Sequence, residues 1–168
     1  QPAIATDLSR EQAELERLLA EAKSVAAESF ARALTASHPQ QALGWRGLGS
    51  ALVAQSRDRE ALAALERAAQ LAPGDGNIQA QLGGVLMRQG LSREAELAYR
   101  RALATNARHA AAQRGLAAAL LKMYRYADAE TVARQALQSE EQASDLHLLL
   151  GEALLGLDRA DDALACYQ

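Results

Sequence analysis

The chain has 168 residues, of which 40 are alanine and 4% are aromatic, and its 18 basic and 21 acidic side chains give a formal net charge of −3. This length suits one domain or a short repeat array, and a composition so rich in helix formers argues against an all-β or parallel-sheet fold. The charge shows no basic surplus for a general nucleic-acid binder, the single cysteine excludes an internal disulfide, and no apolar run approaches the roughly 20 residues of a membrane span.

The N-terminal part, residues 1–41, divides into two predicted segments. Residues 1–7 begin with uncharged residues, and we expect them to be disordered or irregular. Residues 8–41 have helical spacing of apolar residues such as Ala27 and Leu34, but the stretch 20–24 contains no helix breaker. The pattern leaves two alternatives: a degenerate repeat built from two helices, or one long helix over 8–37 that caps the array.

From residue 42 onward, the same pattern returns every 34 residues without an insertion. Ala61, Ala95, Ala129 and Ala163 mark one phase of this period. A second phase carries the pairs Leu48-Gly49, Leu82-Gly83, Leu116-Ala117 and Leu150-Gly151. A fixed period of this size indicates a repeat architecture. We therefore predict units over 42–75, 76–109 and 110–143, and a truncated unit over 144–168.

Each predicted unit has about fourteen residues of helical period, a short break, and then a second helical stretch. This pattern resembles the tetratricopeptide repeat (TPR) family, whose unit carries W-x2-L-G-x2-Y…A-x3-F…A…P. Trp45 and Pro73 complete that motif in the first unit, whereas Gln79, Gln113 and His147 stand at the Trp phase of the later units. The resemblance implies an all-α fold, an α-solenoid of antiparallel helix pairs wound into a right-handed superhelix.

Catalytic chemistry is not indicated anywhere in the sequence. His38 and His109 fall in predicted turns, His147 falls at a core phase, and Cys166 lies on a helical stretch. The glycine-rich stretch 44–49 has no preceding strand, which a phosphate-binding loop requires. We therefore expect no enzyme activity, no cofactor and no metal site.

The resemblance implies that the first helix of each unit lines a concave groove that binds a partner. The residues that it places in this groove are Leu43, Arg46, Ser50, Asn77, Ala80, Gly84, Met87, Arg88, Ala111, Arg114, Ala118, Leu121, Lys122, Leu148 and Glu152. Ser50, Gly84 and Ala118 replace the asparagines of the family's carboxylate clamp, so a complete clamp is not expected. We expect the partner to be a protein or peptide segment with apolar anchors and an acidic residue that pairs with Arg88, Arg114 or Lys122.

The function that these features favour is a non-catalytic protein–protein interaction scaffold that binds a peptide or helix in its groove. Two alternatives remain open from the sequence. The chain could be the recruiting region of a larger enzyme of the sulfotransferase or glycosyltransferase type, or a self-assembling scaffold that associates through its open C-terminal end. The incomplete last unit leads us to expect that the native polypeptide continues or that another molecule covers this end. An Ala- and Arg-rich, Lys-poor composition suggests a bacterial source, with cytoplasm and periplasm both open, and we expect neither nucleic-acid binding nor membrane insertion.

Overall fold

The computed structural model describes residues 2–138 and 143–167, with side chains from residue 9 onward. Residue 1 of the predicted N-terminal segment, residues 139–142 of the third predicted unit and residue 168 lie outside the described residues. The described residues form helices and turns without strands, and they fall into two compact units, residues 1–73 and 74–168.

The first unit contains four helices, which we number in chain order. They are α1 (Pro2–Ala20), α2 (Ser24–Ser37), α3 (Ala42–Ala54) and α4 (Asp58–Leu71). Because α1 begins at Pro2, the expected irregular segment is wrong for residues 2–7. Proline is compatible with the first turn of a helix, where its missing N–H would have no intrahelical partner.

The second unit contains six helices. They are α5 (Gly76–Arg88), α6 (Ser92–Thr105), α7 (Ala110–Lys122), α8 (Tyr126–Leu137), α9 (Ser144–Gly156) and α10 (Ala160–Cys166). Within each unit the helices that follow one another along the chain pack together, and α7 also contacts both α5 and α9. The buried residues are mainly alanine and leucine, and the four alanines of the 34-residue phase, from Ala61 to Ala163, are all fully buried. A methyl group at this phase lets two helices approach closely.

The turn inside each helix pair is the same at five places in the chain. Residues 22, 56, 90, 124 and 158 are spaced by 34 and adopt a left-handed backbone conformation, with φ between 55° and 78°. The next residue donates its N–H to a carbonyl five residues back, as Arg57 does to Leu52 at 2.9 Å. This hydrogen bond, with the shorter one from the left-handed residue itself, forms the Schellman cap that ends a helix.

The same cap separates α1 from α2 and thereby overturns the alternative of one long helix over 8–37. Ala22 has φ 55°, and the Lys23 N–H bonds the Leu18 carbonyl at 3.0 Å. Alanine is not a helix breaker, so the break is imposed by the hydrogen bonds of the cap and by the packing of α1 against α2 and α3.

Ion pairs join the second helices of neighbouring pairs in a repeated arrangement, which we call the Glu–Arg ladder. It is formed by Glu28 with Arg57, by Glu96 with Arg125 and by Glu130 with Arg159, at N–O distances of 2.7–2.9 Å. Each glutamate also binds an arginine four residues later in its own helix, and each arginine binds a carboxylate three residues later. Hydrogen bonds from Gln55 and then Arg32 lower the pKa of Glu28, and those from Arg134 and then Arg159 lower the pKa of Glu130.

Candidate functional site

The groove predicted from the sequence is described separately for each unit. In the first unit Leu43, Arg46 and Ser50 lie half-buried on α3. In the second unit, the predicted residues of α5, α7 and α9 define what we call the groove face. Its exposed members are Asn77, Arg88, Ala111, Lys122, Leu148 and Glu152, and its half-buried members are Gly84, Met87, Arg114, Ala118 and Leu121. Ala80 is buried, so it contributes to the packing of α5 and offers no contact surface, which corrects its assignment as a groove-lining residue.

A cleft of about 410 Å³ opens on the groove face of the second unit. Its walls carry four of the predicted residues and two that the sequence pattern did not single out: Ala118, Leu121, Lys122, Tyr124, Leu149 and Glu152. Tyr124 is the left-handed residue of the turn after α7 and is 77% exposed. On α9 the neighbouring Leu148 is 56% exposed and Leu155 is 50% exposed. The cleft therefore combines an apolar floor and rim with one cation and one anion.

Two of the groove cations already have partners within the chain. Arg114 on α7 binds Asp145 on α9 at 3.0 Å, and Arg46 on α3 lies 3.8 Å from Glu16 on α1. Lys122 and Glu152 form no ion pair with any residue that the structure describes. Because an unpaired exposed charge keeps its full hydration until a partner binds, these two residues are better candidates for recognising charged side chains than Arg114 is.

The ring of Tyr99 fills the space between α5 and α7. It comes from α6 and is 5% exposed. A Cβ atom added at Gly83 would lie 2.7 Å from the ring, and one added at Gly115 would also overlap it. Burial raises the pKa of the Tyr99 hydroxyl, and the nearby charge of Arg88 opposes this effect. The glycines at these phases are therefore seats for the aromatic ring of the neighbouring helix.

One edge of the groove face is held by His109. Its Nε2 lies 3.0 Å from Asn77 Oδ1, and the Ala112 N–H points to its Nδ1 at 3.4 Å. A neutral imidazole with its proton on Nε2 satisfies both contacts, so His109 caps α7 and ties it to the start of α5. The sequence had placed this histidine in a turn without assigning it a structural role.

The glycine-rich stretch 44–49 serves helix packing. A Cβ atom at Gly44 would lie 3.0 Å from Leu34, one at Gly47 would overlap Leu15, and one at Gly49 would lie 2.6 Å from Leu65. These three glycines therefore face α2, α1 and α4 in turn. This arrangement supports the expectation that the stretch belongs to a helix–helix interface.

The Trp phase of the repeat keeps its hydrogen bond where the tryptophan is replaced. The Trp45 indole N–H donates to the Pro39 carbonyl at 3.0 Å, and the Gln113 amide donates to the Ala107 carbonyl at 2.9 Å. Each donor lies six residues after its acceptor. Gln113 therefore reproduces the polar part of the tryptophan interaction with a smaller side chain, which explains why the motif letter changes while the fold does not.

Groups that could support metal or membrane chemistry were also sought. Among the described residues, no three or more His, Cys, Asp or Glu side chains converge as metal ligands. None of the helices in the described part combines the length and the apolar character that crossing a membrane would require.

Stacked antiparallel helix pairs with a common 34-residue register and a groove face on their first helices define a helical repeat protein. The family model of the tetratricopeptide repeat matches residues 12–76, 81–123 and 117–168. The chain belongs to the tetratricopeptide repeat family. Members of this family are typically non-catalytic scaffolds.

Solved structures of TPR proteins share this fold. The structure of MamA from Desulfovibrio magneticus RS-1 (residues 41 to the end) aligns with a TM-score of 0.85 at 15% identity, covering 95% of this chain and 90% of that one. YrrB, described as a TPR protein with an unusual peptide-binding site, aligns with a TM-score of 0.81 at 17% identity, covering 98% and 87%. The thermophilic TPR protein TTC0263 of Thermus thermophilus gives 0.69 at 25% identity, covering 84% and 78%. These similarities place the fold in the all-α solenoid class. A comparison with curated proteins gave no match.

Proposed function

We propose that this chain is a non-catalytic interaction scaffold that binds a peptide segment of another protein on the groove face of its second unit. The observation that carries the proposal is the cleft beside Tyr124, which joins an apolar floor to the unpaired charges of Lys122 and Glu152. The exposed side chains of Leu148 and Leu155 extend this apolar surface along α9. The description of YrrB as having a peptide-binding site supports the same use of a fold of this kind.

The chemistry of the cleft specifies the partner. Lys122 favours an acidic side chain, Glu152 favours a basic one, and Leu121 with Ala118 favours an apolar anchor between them. This assignment changes the cation expected to meet the acidic residue, because Arg114 is engaged by Asp145. The preferred segment therefore has an apolar residue flanked by charges of opposite sign.

The test uses peptides selected from a random library of about 12 residues, displayed on phage and panned against the whole chain. The double variant Lys122→Glu/Leu148→Ser changes the groove face. The double variant Arg101→Glu/Leu97→Ser changes the same residue types on α6, where Leu97 is 58% exposed and Leu148 is 56% exposed on α9. We expect the groove variant to bind the selected peptides at least about tenfold more weakly, and the α6 variant to match the wild type, because a few buried anchors carry most binding energy.

Circular dichroism checks that both variants stay helical. Equal weakening by the two variants, or unchanged binding by the groove variant, would place the peptide elsewhere. Failure to enrich any peptide would contradict the proposed function itself.

A further inference from the structure

The hydroxyl of Tyr99 is a buried polar group that the fold does not use. Tyr99 is 5% exposed, and its ring is fixed between α5 and α7. The hydroxyl forms no hydrogen bond with any residue that the structure describes. The same ring with phenylalanine would pack equally well at this phase, which is a Phe position in the TPR motif. The oxygen atom therefore needs an explanation other than packing.

The position of this hydroxyl connects it to the groove face. A Cβ atom at Gly84 would lie 3.9 Å from the Tyr99 oxygen, and one at Gly115 would lie 2.6 Å from it. Gly84 belongs to the groove face, and both glycines are half-buried and so retain contact with solvent. Because neither glycine has a side chain, the hydroxyl lies at the bottom of a gap between α5 and α7. We call this gap the glycine window.

The electrostatic surroundings keep the hydroxyl protonated. Burial raises the pKa of Tyr99, so at neutral pH its O–H is a hydrogen-bond donor. A donor in an apolar surrounding without an acceptor carries a desolvation cost, which a bound acceptor would relieve.

We propose that the glycine window reads the backbone of a bound peptide, with the Tyr99 hydroxyl donating a hydrogen bond to one peptide carbonyl. The inference rests on the proposed function and adds the conformation of the ligand. A helical ligand uses its own carbonyls internally and is kept away by its side chains. An extended segment leaves its carbonyls free and can approach a surface that has no Cβ atoms. The ligand is therefore an extended segment that crosses α5 and α7 at Gly84 and Gly115 and continues towards the cleft at Lys122.

Tyr99→Phe tests the hydroxyl alone, because it removes one oxygen atom and keeps the ring. Tyr126→Phe is the matched control, since its ring packs against Gly156 on another pair of helices in the same unit. With the phage-selected peptides of the previous test, made synthetically, we expect Tyr99→Phe to weaken binding by about two- to tenfold, as for one neutral hydrogen bond. We expect Tyr126→Phe to have no effect on binding.

Gly84→Ala tests the window from the other side. The added Cβ would make an ordinary contact with the Tyr99 oxygen, so the fold accommodates it. Alanine is also the better helix former. We therefore expect Gly84→Ala to raise the melting temperature while weakening peptide binding at least about fivefold. A purely structural role of the glycine would give the higher melting temperature with unchanged binding.

Peptides with single backbone esters locate the bonded carbonyl, since an ester carbonyl is a weaker acceptor than an amide carbonyl. One ester is expected to weaken binding to the wild type but not binding to Tyr99→Phe. If peptides are selected but neither Tyr99→Phe nor Gly84→Ala changes their affinity, the glycine window is wrong and the proposed function stands. If no peptide is selected, both proposals fail.

Discussion

Residues 22, 56, 90, 124 and 158 hold the same left-handed backbone, and only residue 90 is a glycine. Left-handed geometry costs an L-residue with a Cβ about 1–2 kcal/mol relative to its preferred conformations. The four other positions, Ala22, Ser56, Tyr124 and Asp158, therefore keep a strain that the two hydrogen bonds of each Schellman cap must outweigh. These sites are places where stability can be gained without touching the core.

We predict that Ser56→Gly stabilises the chain by about 0.5–1 kcal/mol and that Gly90→Ala destabilises it by about 1 kcal/mol, because the first removes this strain and the second introduces it. Urea unfolding followed by circular dichroism measures both. Ser56→Ala is the control, since it keeps a Cβ and is expected to be neutral. Equal effects of Ser56→Gly and Ser56→Ala would show that strain at this turn is negligible.

The hydrogen bond of Gln113 leads to a second prediction at this scale. Gln113→Met keeps the length and volume of the side chain but removes the amide that donates to the Ala107 carbonyl. We expect a loss of about 1–2 kcal/mol in the free energy of unfolding, because a partly buried carbonyl is left without its donor. Gln113→Glu, which also cannot donate at neutral pH, should lose at least as much. Wild-type stability in both variants would mean that the hydrogen bond contributes nothing.

At the scale of the helices, the Glu–Arg ladder makes stability depend on acid. The pKa values of Glu28 and Glu130 are lowered in the folded chain by their arginine and amide partners. A carboxylate with a lowered pKa stabilises the fold above its ordinary pKa, and this contribution disappears as the pH falls through the folded value. The ladder is therefore fully formed at neutral pH and is lost below about pH 4.

We predict that Glu130→Gln lowers the melting temperature at pH 7 and that its difference from the wild type shrinks as the pH falls below about 4, where the wild-type carboxylate is itself protonated. Glu66→Gln is the control, since the structure records no ion pair for Glu66 within the described residues. Differential scanning calorimetry at several pH values gives the comparison. A difference that stays constant with pH would remove the ladder as its cause.

The elements themselves follow from the sequence because their signals are local. Apolar spacing and the 34-residue period suffice to place the helix pairs from Ala42 onward. The break at Ala22 could not be predicted in this way, since it depends on packing and on hydrogen bonds rather than on a breaker residue. The start of α1 at Pro2 was missed because uncharged, short side chains give no periodic signal.

The candidate site is less predictable because it depends on which side chains meet across helices. The family pattern indicated the face that carries Ala118, Leu121 and Lys122, but not that Asp145 occupies Arg114 or that Tyr124 forms part of the cleft. The Glu–Arg ladder had a readable signal, since its glutamates and arginines recur at a spacing of 29 residues. The hydroxyl of Tyr99 had none, because Phe and Tyr serve the same core phase.

For the molecule as a whole, stability in a repeat protein is a sum of neighbouring contacts, so damage stays local. Leu154 on α9 is fully buried in a small cluster with Ala133, Leu150 and Ala163. We predict that Leu154→Ala costs about 2–4 kcal/mol and lowers amide hydrogen-exchange protection in α8–α10 much more than in α5 and α6. Leu148→Ala, an exposed leucine on the same helix, is the control. Uniform loss of protection across residues 76–166 would show that the second unit unfolds as one body.

The paired rings and glycines of the second unit have a consequence for how such a chain can change over generations. Tyr99 fits Gly115, and Tyr126 fits Gly156, so each bulky side chain is matched to a vacancy in one particular successor. Deleting residues 110–143 would bring Leu149 to the place of Gly115 and set its side chain against the phenol ring. The modules look alike in outline but cannot be shuffled, duplicated or removed one at a time without a second mutation that restores the fit.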